Sequence, residues 1–118
     1  MTTEHPLRVV FYRTDSGAEP VREWLLDLSK EERKIISEDI KTVQFGWPLG
    51  MPLIKKMESN LWEVRSKLPN RIARVMFTVH DGIIIVLLHG FIKKTQKTLV
   101  EDLNLARKRM HEALGGKV

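Results

Sequence analysis

The strongest constraint on the fold is the two-residue periodicity of apolar side chains between about residue 61 and residue 92. Alternation of this kind is typical of strands that bury one face, and it predicts three strands, over residues 61–67, 71–79 and 83–92. Their connections are short, and the second one contains Asp81-Gly82, a strong hairpin signal. Strands joined so closely pair with their neighbours in antiparallel order, so this part of the chain predicts a meander.

A strand and two helices are predicted ahead of the meander. Apolar and polar residues alternate over residues 7–13, and an apolar stripe at helical spacing follows Pro20, a residue tolerated in a first helical turn. Ser29 and Glu32 have the spacing of a capping box, which predicts that a second helix begins there and extends to about Phe45. This helix is predicted to bury an apolar stripe of Ile36, Ile40 and Val43.

A closing helix is predicted after the meander. Thr98 and Glu101 again have the spacing of a capping box, and Gly115-Gly116 is a suitable C-terminal stop. The predicted order is therefore β-α-α-β-β-β-α. We expect a single α+β domain over residues 1–118, in which helices pack on an antiparallel sheet.

The composition is that of a globular protein without disulfides. The chain has 118 residues, 42% of them hydrophobic and none of them cysteine, which excludes a disulfide framework, Cys-ligated zinc and thiol catalysis. Its longest apolar run covers only residues 83–88, whereas a membrane helix needs ~20 apolar residues. The N-terminus lacks the apolar segment of a secretory signal, and we expect a cytoplasmic protein with no membrane partner.

Positive charge is concentrated in the second half of the chain. Residues 61–118 contain 11 Lys and Arg against 5 Asp and Glu, and the segment from Arg65 to Lys97 contains seven basic residues and a single acid, Asp81. Such a patch raises the local concentration of anions and is the usual electrostatic mark of proteins that bind phosphate backbones. It is equally compatible with a solvated basic face that only aids solubility.

The predicted strand pairing gathers basic residues on one open face of the sheet. A turn centred on residues 69–70 places Arg65 opposite Arg74, and a turn centred on residues 81–82 places Arg74 opposite His89, with Lys93 further along. Like charges in direct opposition repel each other, so we expect an anion to bind between them. The other face is predicted to be apolar and to carry the helices; its residues are Trp62, Val64, Val75, Phe77, Val79, Ile84, Val86 and Leu88.

Three segments of the basic half form a familiar pattern. They are Leu61-Trp62-Glu63-Val64-Arg65, Arg71-Ile72-Ala73-Arg74-Val75 and His89-Gly90-Phe91-Ile92-Lys93-Lys94-Thr95-Gln96-Lys97-Thr98. This pattern resembles the phage-derived HigB-like toxins of the RelE/ParE superfamily of toxin–antitoxin modules. The resemblance implies a RelE-like fold and a metal-independent endoribonuclease that needs no cofactor and cleaves mRNA, in many members on the ribosome. It also implies a cognate helix-turn-helix antitoxin as partner.

The resemblance assigns RNA binding and cleavage by motif position. The residues concerned are Arg65, Arg74, Lys93 and Lys94, together with His89, which lies where some HigB-type members use histidine. The only tyrosine of the chain is Tyr12, on the first strand, so the tyrosine that assists cleavage in RelE-type toxins has no counterpart in these motifs.

Cleavage of RNA without a metal needs a base for the 2′-hydroxyl, cations for the phosphorane and an acid for the leaving 5′-oxygen. Arginine forks suit the phosphate oxygens, so Arg65 and Arg74 are predicted for that role. The proton carrier is left open between Lys93, Lys94 and His89, because a lysine crowded by like charges has a lowered pKa and histidine titrates near neutrality.

Further RNA contacts are expected around this set, and no metal is expected within it. The basic half offers no carboxylate cluster that could bind magnesium. The aromatic ring of Phe91, on the last strand, can stack on a base or can simply pack within the protein. The predicted RNA-binding residues are Lys67, Arg71, Phe91 and Lys97.

Two other functions fit the same sequence. ParE-like members of the superfamily act on DNA gyrase and lack the basic catalytic cluster, so the row of basic residues argues against a gyrase inhibitor. A basic RNA-binding module would hold the RNA backbone without cutting it, and only an assay separates such a module from a nuclease.

Overall fold

A five-stranded mixed sheet forms the centre of the protein. The computed structural model describes residues 6–50, 52–93 and 98–116. The strands are β1 (Arg8–Phe11), β2 (Ile54–Glu58), β3 (Leu61–Lys67), β4 (Ile72–His80) and β5 (Ile84–Ile92), in the order β1-β5-β4-β3-β2. The helices are α1 (Pro20–Leu26), α2 (Lys30–Gly46) and α3 (Val100–His111), and α3 continues into a π-helical segment, Glu112–Gly116. The predicted α+β class is confirmed. No helix in the described ranges is long and apolar enough to cross a membrane.

The sheet has one strand more than the sequence analysis predicted. β2 pairs with β3 in antiparallel order, across a turn in which Asn60 has a φ of 62°. Two consecutive exposed lysines, Lys55 and Lys56, obscure the alternation that marks the other strands. The observed order is β-α-α-β-β-β-β-α, and the sheet is mixed rather than antiparallel because β1 joins β5 in parallel.

The capping box predicted at the start of α2 is confirmed. Ser29 Oγ accepts a hydrogen bond from the backbone N–H of Glu32 at 3.1 Å, and Glu32 Oε1 accepts one from the backbone N–H of Ser29 at 3.3 Å. A cap of this kind contributes about 1 kcal/mol to helix stability. The helix ends at Gly46 and buries the predicted stripe of Ile36, Ile40 and Val43.

The loop between β4 and β5 is one residue longer than predicted. Asp81 and Gly82 do have the positive φ angles, 54° and 69°, that this pair favours in hairpins. However, Ile83 belongs to the loop: its N–H donates to the carbonyl of His80 at 3.1 Å, and Ile84 is the residue that pairs with His80. The first half of β5 is thereby displaced by one position from the predicted register.

A bulge in β5 adds a second displacement. Phe77 pairs with Leu87, whereas beyond the irregularity Met76 pairs with His89, so Leu88 is the extra residue. Leu88 and His89 therefore project to the same side of the sheet, as residues of a bulge do. After the bulge, β5 is displaced by two positions from the predicted register, and an even displacement leaves the predicted faces unchanged.

Of the two pairings predicted for the row of basic residues, one is observed and the other is not. Arg65 does lie opposite Arg74. Arg74 lies opposite Phe91, however, and not opposite His89. His89 still projects to the same face as Arg74, because the two one-residue displacements add to an even number.

Helices cover both faces of the sheet, so the predicted open face does not exist. We call the face under α1 and α2 the helix-pair face and the face under α3 the α3 face. The core of the helix-pair face includes Val64, Val75, Phe77, Ile85 and Leu87. The core of the α3 face includes Leu61, Met76, Val86, Leu88, Ala106 and Met110. Ile84, Val86 and Leu88 were predicted to lie beside Phe77, and the loop displacement moves them to the α3 face.

The contact between α1 and β5 depends on a glycine. A Cβ atom at Gly90 would lie 2.4 Å from a ring carbon of Trp24, closer than atoms can approach. The indole of Trp24 therefore rests directly on the backbone of β5, and position 90 has room only for hydrogen.

Candidate functional site

Three neighbouring cross-strand rows on the α3 face gather most of the predicted site residues. The first row is Glu63, Met76 and His89, the second is Arg65, Arg74 and Phe91, and the third is Lys67, Ile72 and Lys93. The third row extends beyond the end of β5, where the Lys93 N–H donates to the Ile72 carbonyl at 2.7 Å. Lys94 and Lys97 lie outside the described residues.

Arg74 is buried between the sheet and the residues that lead into α3. Only 2% of Arg74 is exposed, and Glu63 is completely buried. Arg74 NH1 donates to Thr98 Oγ1 at 2.7 Å and lies 3.2 Å from Glu63 Oε1. Thr98 Oγ1 donates in turn to Glu63 Oε2 at 2.7 Å. These three side chains form a closed set of charge-assisted contacts, which we call the Arg74 triangle.

The Arg74 triangle changes the role expected of Arg74. Glu63 neutralises the guanidinium inside the protein, so the opposition of Arg74 and Arg65 needs no bound anion. Removal of Arg74 would leave the Glu63 carboxylate buried without a counter-charge, which is strongly destabilising. The expectation that Arg74 lies on an open face is therefore wrong, and this residue supports the fold from inside the site.

The same triangle explains why the predicted cap of α3 is wrong. The N-cap residue of α3 is Leu99, and no side chain caps the helix. The Thr98 hydroxyl is engaged by Arg74 and Glu63 instead. Two buried charged groups bind a hydroxyl more strongly than an exposed helix N–H does, so the tertiary contacts prevail over the local motif.

Asp102 of α3 orients His89. Its Oδ1 lies 2.7 Å from His89 Nε2, and an ionised carboxylate can only accept, so Nε2 is the donor of this contact and, in a neutral imidazole, Nδ1 keeps its lone pair. The imidazole also stacks on Phe91, with ring centroids 5.2 Å apart and 21° between the planes. The imidazole is thus held on two sides, while 15% of its side chain remains exposed.

Within the described part of the chain, Arg65 and Lys93 are the partly buried cations of the cluster that no carboxylate neutralises. Both are half-buried, and no hydrogen bond or ion pair joins either side chain to another residue within the described ranges. Lys67, on the same row as Lys93, is exposed at the hairpin end. These side chains can accept an anion without first breaking a contact to another described residue.

Arg71 is held apart from this cluster by α2. Its Nε donates to Glu32 Oε2 at 2.8 Å, and its NH2 donates to Glu32 Oε1 at 3.0 Å. The guanidinium lowers the pKa of the Glu32 carboxyl below its usual value. The RNA contact expected of Arg71 stays a prediction, and the bidentate pair with Glu32 would have to open before that contact forms.

Sequence patterns did not identify Glu63, Thr98 as a partner of Arg74, or Asp102. A signal for Glu63 was available: it precedes Arg65 by two residues on the same strand face, and it is a diagonal neighbour of Arg74 in the correctly predicted register. Asp102 offered no such signal, because its place beside His89 depends on how α3 docks on the sheet.

The chemistry that this cluster can support is anion binding and proton transfer. Within residues 6–50, 52–93 and 98–116, no three His, Asp or Glu side chains are grouped so that they could hold a metal ion. An oriented imidazole, two cations and an aromatic ring lie together instead. Imidazole can exchange a proton near neutrality, and arginine binds phosphate oxygens through its fork.

A protein-family model matches most of the chain. The family model described as "Phage derived protein Gp49-like (DUF891)" matches residues 23–111. This range extends from α1 to the end of α3 and includes all three rows of the cluster. No curated protein matches the sequence.

Proposed function

We propose that this chain, which belongs to the Gp49-like family of phage-derived proteins, is the toxin of a toxin–antitoxin module and acts by cleaving mRNA. The observation that carries the proposal is the placement of Arg65, His89 and Lys93 on three adjacent rows beside α3. The likeness of the surrounding segments to HigB-like toxins of the RelE/ParE superfamily supports it further. The proposed partners are mRNA, the ribosome and a helix-turn-helix antitoxin.

The proposed reaction is transfer of the phosphoryl group to the neighbouring 2′-hydroxyl. The 2′-oxygen attacks phosphorus and loses its proton to a base, the bond to the 5′-oxygen breaks, and that oxygen takes a proton from an acid. The products are a 2′,3′-cyclic phosphate and a 5′-hydroxyl end. Arg65 and Lys93 bind the phosphate oxygens, where negative charge increases in the transition state.

His89 is the base in this proposal. Asp102 keeps the proton on Nε2, so the lone pair of Nδ1 is available to accept the proton of the 2′-hydroxyl. Phe91, stacked on the imidazole, extends a flat surface on which a base of the RNA can stack. The acid in this proposal is Lys94, one of the three side chains between which the sequence left the proton carrier open.

Replacing Arg65 with alanine tests the proposal. Loss of one preorganised donor at the phosphate slows cleavage by roughly 10²–10³-fold, and single-turnover cleavage of RNA, free and on programmed ribosomes, measures this rate. Lys34→Ala, which removes an exposed lysine of α2, is the matched control and should cleave at the wild-type rate. In bacteria, wild type and Lys34→Ala should arrest growth and Arg65→Ala should not. Wild-type cleavage by Arg65→Ala would refute the assigned site, and absence of any RNA product would refute the nuclease.

A second candidate is an RNA-binding module that does not cleave. The observation that favours it is the neutralisation of Arg74 by Glu63, which leaves fewer cations for a transition state. The same assay separates the two functions. A binding module would retain RNA with a salt dependence that weakens by about one unit of slope for each phosphate contact removed, and it would yield no product.

A further inference from the structure

The outer edge of β1 carries backbone groups that no described strand engages. β1 is an edge strand and pairs with β5 in parallel. The N–H groups of Arg8 and Tyr12 donate inward, each at 2.9 Å, to carbonyls of the Ile83–Leu87 segment. Because alternate residues of a strand point their backbone groups to opposite sides, the N–H and C=O groups of Val9 and Phe11 point outward.

The other edge of the sheet is protected and the β1 edge is not. β2 carries two exposed lysines, Lys55 and Lys56, and its register is broken by an irregularity between Lys56 and Glu58. Lysines and bulges are the usual devices that prevent a further strand from adding to an edge. β1 pairs with β5 in an unbroken register. The two residues whose backbone groups point outward, Val9 and Phe11, are apolar.

Two surface grooves, each of about 290 Å³, run along the two sides of β1. The groove on the helix-pair face is lined mainly by Val9, Phe11, Leu25, Ile40 and Leu87. The groove on the α3 face is lined mainly by Val10, Tyr12, Val86 and Ala113. A strand added to β1 would place its side chains alternately in one groove and the other, so both grooves favour apolar residues in the added strand.

Most of the charges around the edge are positive. Arg8 and Arg13 are exposed at the two ends of the β1 segment, and Lys41 borders the groove on the helix-pair face. Glu112 borders the other groove, but it accepts the hydrogen bond of the Tyr12 hydroxyl. A complementary strand therefore has acidic residues at both ends. A second copy of β1 would bring its own arginines to this edge, so it is the poorer occupant.

We propose that the outer edge of β1 is a docking site for an extended segment of a partner protein. The segment adds to the sheet as a sixth strand, with three or four apolar residues in the middle and Asp or Glu at both ends. Backbone hydrogen bonds to Val9 and Phe11 hold it, the two grooves receive its apolar side chains, and Arg8 and Arg13 select its charge. This site is separate from the candidate catalytic cluster and does not depend on the proposed nuclease activity.

A synthetic peptide tests the proposal with the full-length wild-type protein. The probe is acetyl-Glu-Asp-Val-Ile-Val-Ile-Asp-Glu-amide, and the control peptide has lysine at all four acidic positions. On titration with the acidic peptide, the amide signals of Val9 and Phe11 should shift in NMR spectra and their exchange with solvent should slow. The lysine peptide should bind at least about tenfold more weakly.

Two substitutions at one position separate backbone pairing from simple apolar adhesion. Val9→Pro removes an outward N–H without removing a hydrogen bond to β5, so proline is tolerable at this edge. Val9→Ala shortens the same side chain and keeps the N–H. We expect the acidic peptide to bind Val9→Pro roughly tenfold more weakly than Val9→Ala, which corresponds to the loss of one ladder hydrogen bond.

A charge exchange keeps the test decisive if Val9→Pro does not fold. Arg13→Glu, at an exposed position, should weaken binding of the acidic peptide and strengthen binding of the lysine peptide. Equal binding of both peptides by wild type, or equal affinity of Val9→Pro and Val9→Ala, would overturn the proposal. It would also be overturned if sedimentation equilibrium gave a dimer that Val9→Pro abolishes and neither peptide bound, since the occupant would then be a second copy.

Discussion

The two faces of the sheet are built on different principles. On the helix-pair face the buried side chains are apolar apart from Ser66, and aromatic rings pack edge to face, as Trp47 does against Trp62 at 4.8 Å and against Phe77 at 5.6 Å. On the α3 face charged groups are interspersed with the apolar core, as the buried pair of Arg74 and Glu63 illustrates. The helix-pair face stabilises the fold by burying apolar surface. On the α3 face, charged side chains held in fixed positions take the place of part of that buried apolar surface.

The largest expected effect is on the helix-pair face. Phe77→Ala empties the space between two tryptophans at a completely buried position, and we expect it to lower the free energy of unfolding by about 4 kcal/mol. Urea unfolding measures the loss. Phe91→Ala, a half-buried aromatic residue of the α3 face, is the matched control and should cost much less. Equal losses would show that the two faces do not differ as described.

The next effect tests whether charge on the α3 face has a structural role. Arg74→Ala leaves the carboxylate of Glu63 buried and unpaired, so we expect a loss of about 3 kcal/mol in urea unfolding. Replacing both partners by apolar residues of similar size, as in Glu63→Leu with Arg74→Met, should restore most of that stability. If Arg74→Ala unfolded at the wild-type urea concentration, the guanidinium could not be buried as described.

A smaller effect concerns function alone. Asp102→Asn keeps the shape of the side chain but can also donate to His89, so the proton is no longer confined to Nε2. We expect cleavage at saturating RNA to slow by about tenfold, with RNA binding unchanged, since Asp102 acts only through the imidazole. Nitrogen-15 NMR of the imidazole reads the tautomer without reference to activity. An unchanged tautomer combined with an unchanged rate would remove Asp102 from the site.

The smallest effect concerns Arg71, which ties the β3–β4 hairpin to α2. Because the folded pKa of Glu32 is lowered, the pair stabilises the protein above the ordinary carboxyl pKa of 4.5, and this contribution is lost as the pH falls through the folded pKa. Arg71→Ala should therefore have a lower urea midpoint than wild type at pH 7 and nearly the same midpoint near pH 3. Exposure of the pair keeps the difference small. If the difference between the two urea midpoints became larger as the pH fell, it would contradict stabilisation by the ionised Glu32 carboxylate.

Sequence patterns predicted the helix-pair face better than the α3 face. The stripe of α2, its capping box and the alternation of β3 and β4 are local signals, and the structure confirms each of them. The faces of β5 before its bulge were predicted wrongly because Ile83 joins the loop, and an apolar residue in a hairpin loop resembles the first residue of a strand. Thr98 was predicted to cap α3, but its hydroxyl binds the distant pair of Arg74 and Glu63 instead. The local sequence is compatible with both roles, and the tertiary fold determines which one is adopted.

The contact between Gly90 and Trp24 has a consequence for folding. If β5 paired without its bulge, the register before Leu87 would continue and His89 would lie opposite Val75, where Gly90 now lies. An imidazole would then meet the indole of Trp24 at a position that has no room even for a Cβ atom. The misaligned hairpin can therefore form only while α1 is undocked. Docking of α1 is therefore compatible only with the bulged register, in which His89 lies on the opposite side of the sheet from Trp24. The helix thus excludes the incorrect pairing of β4 with β5.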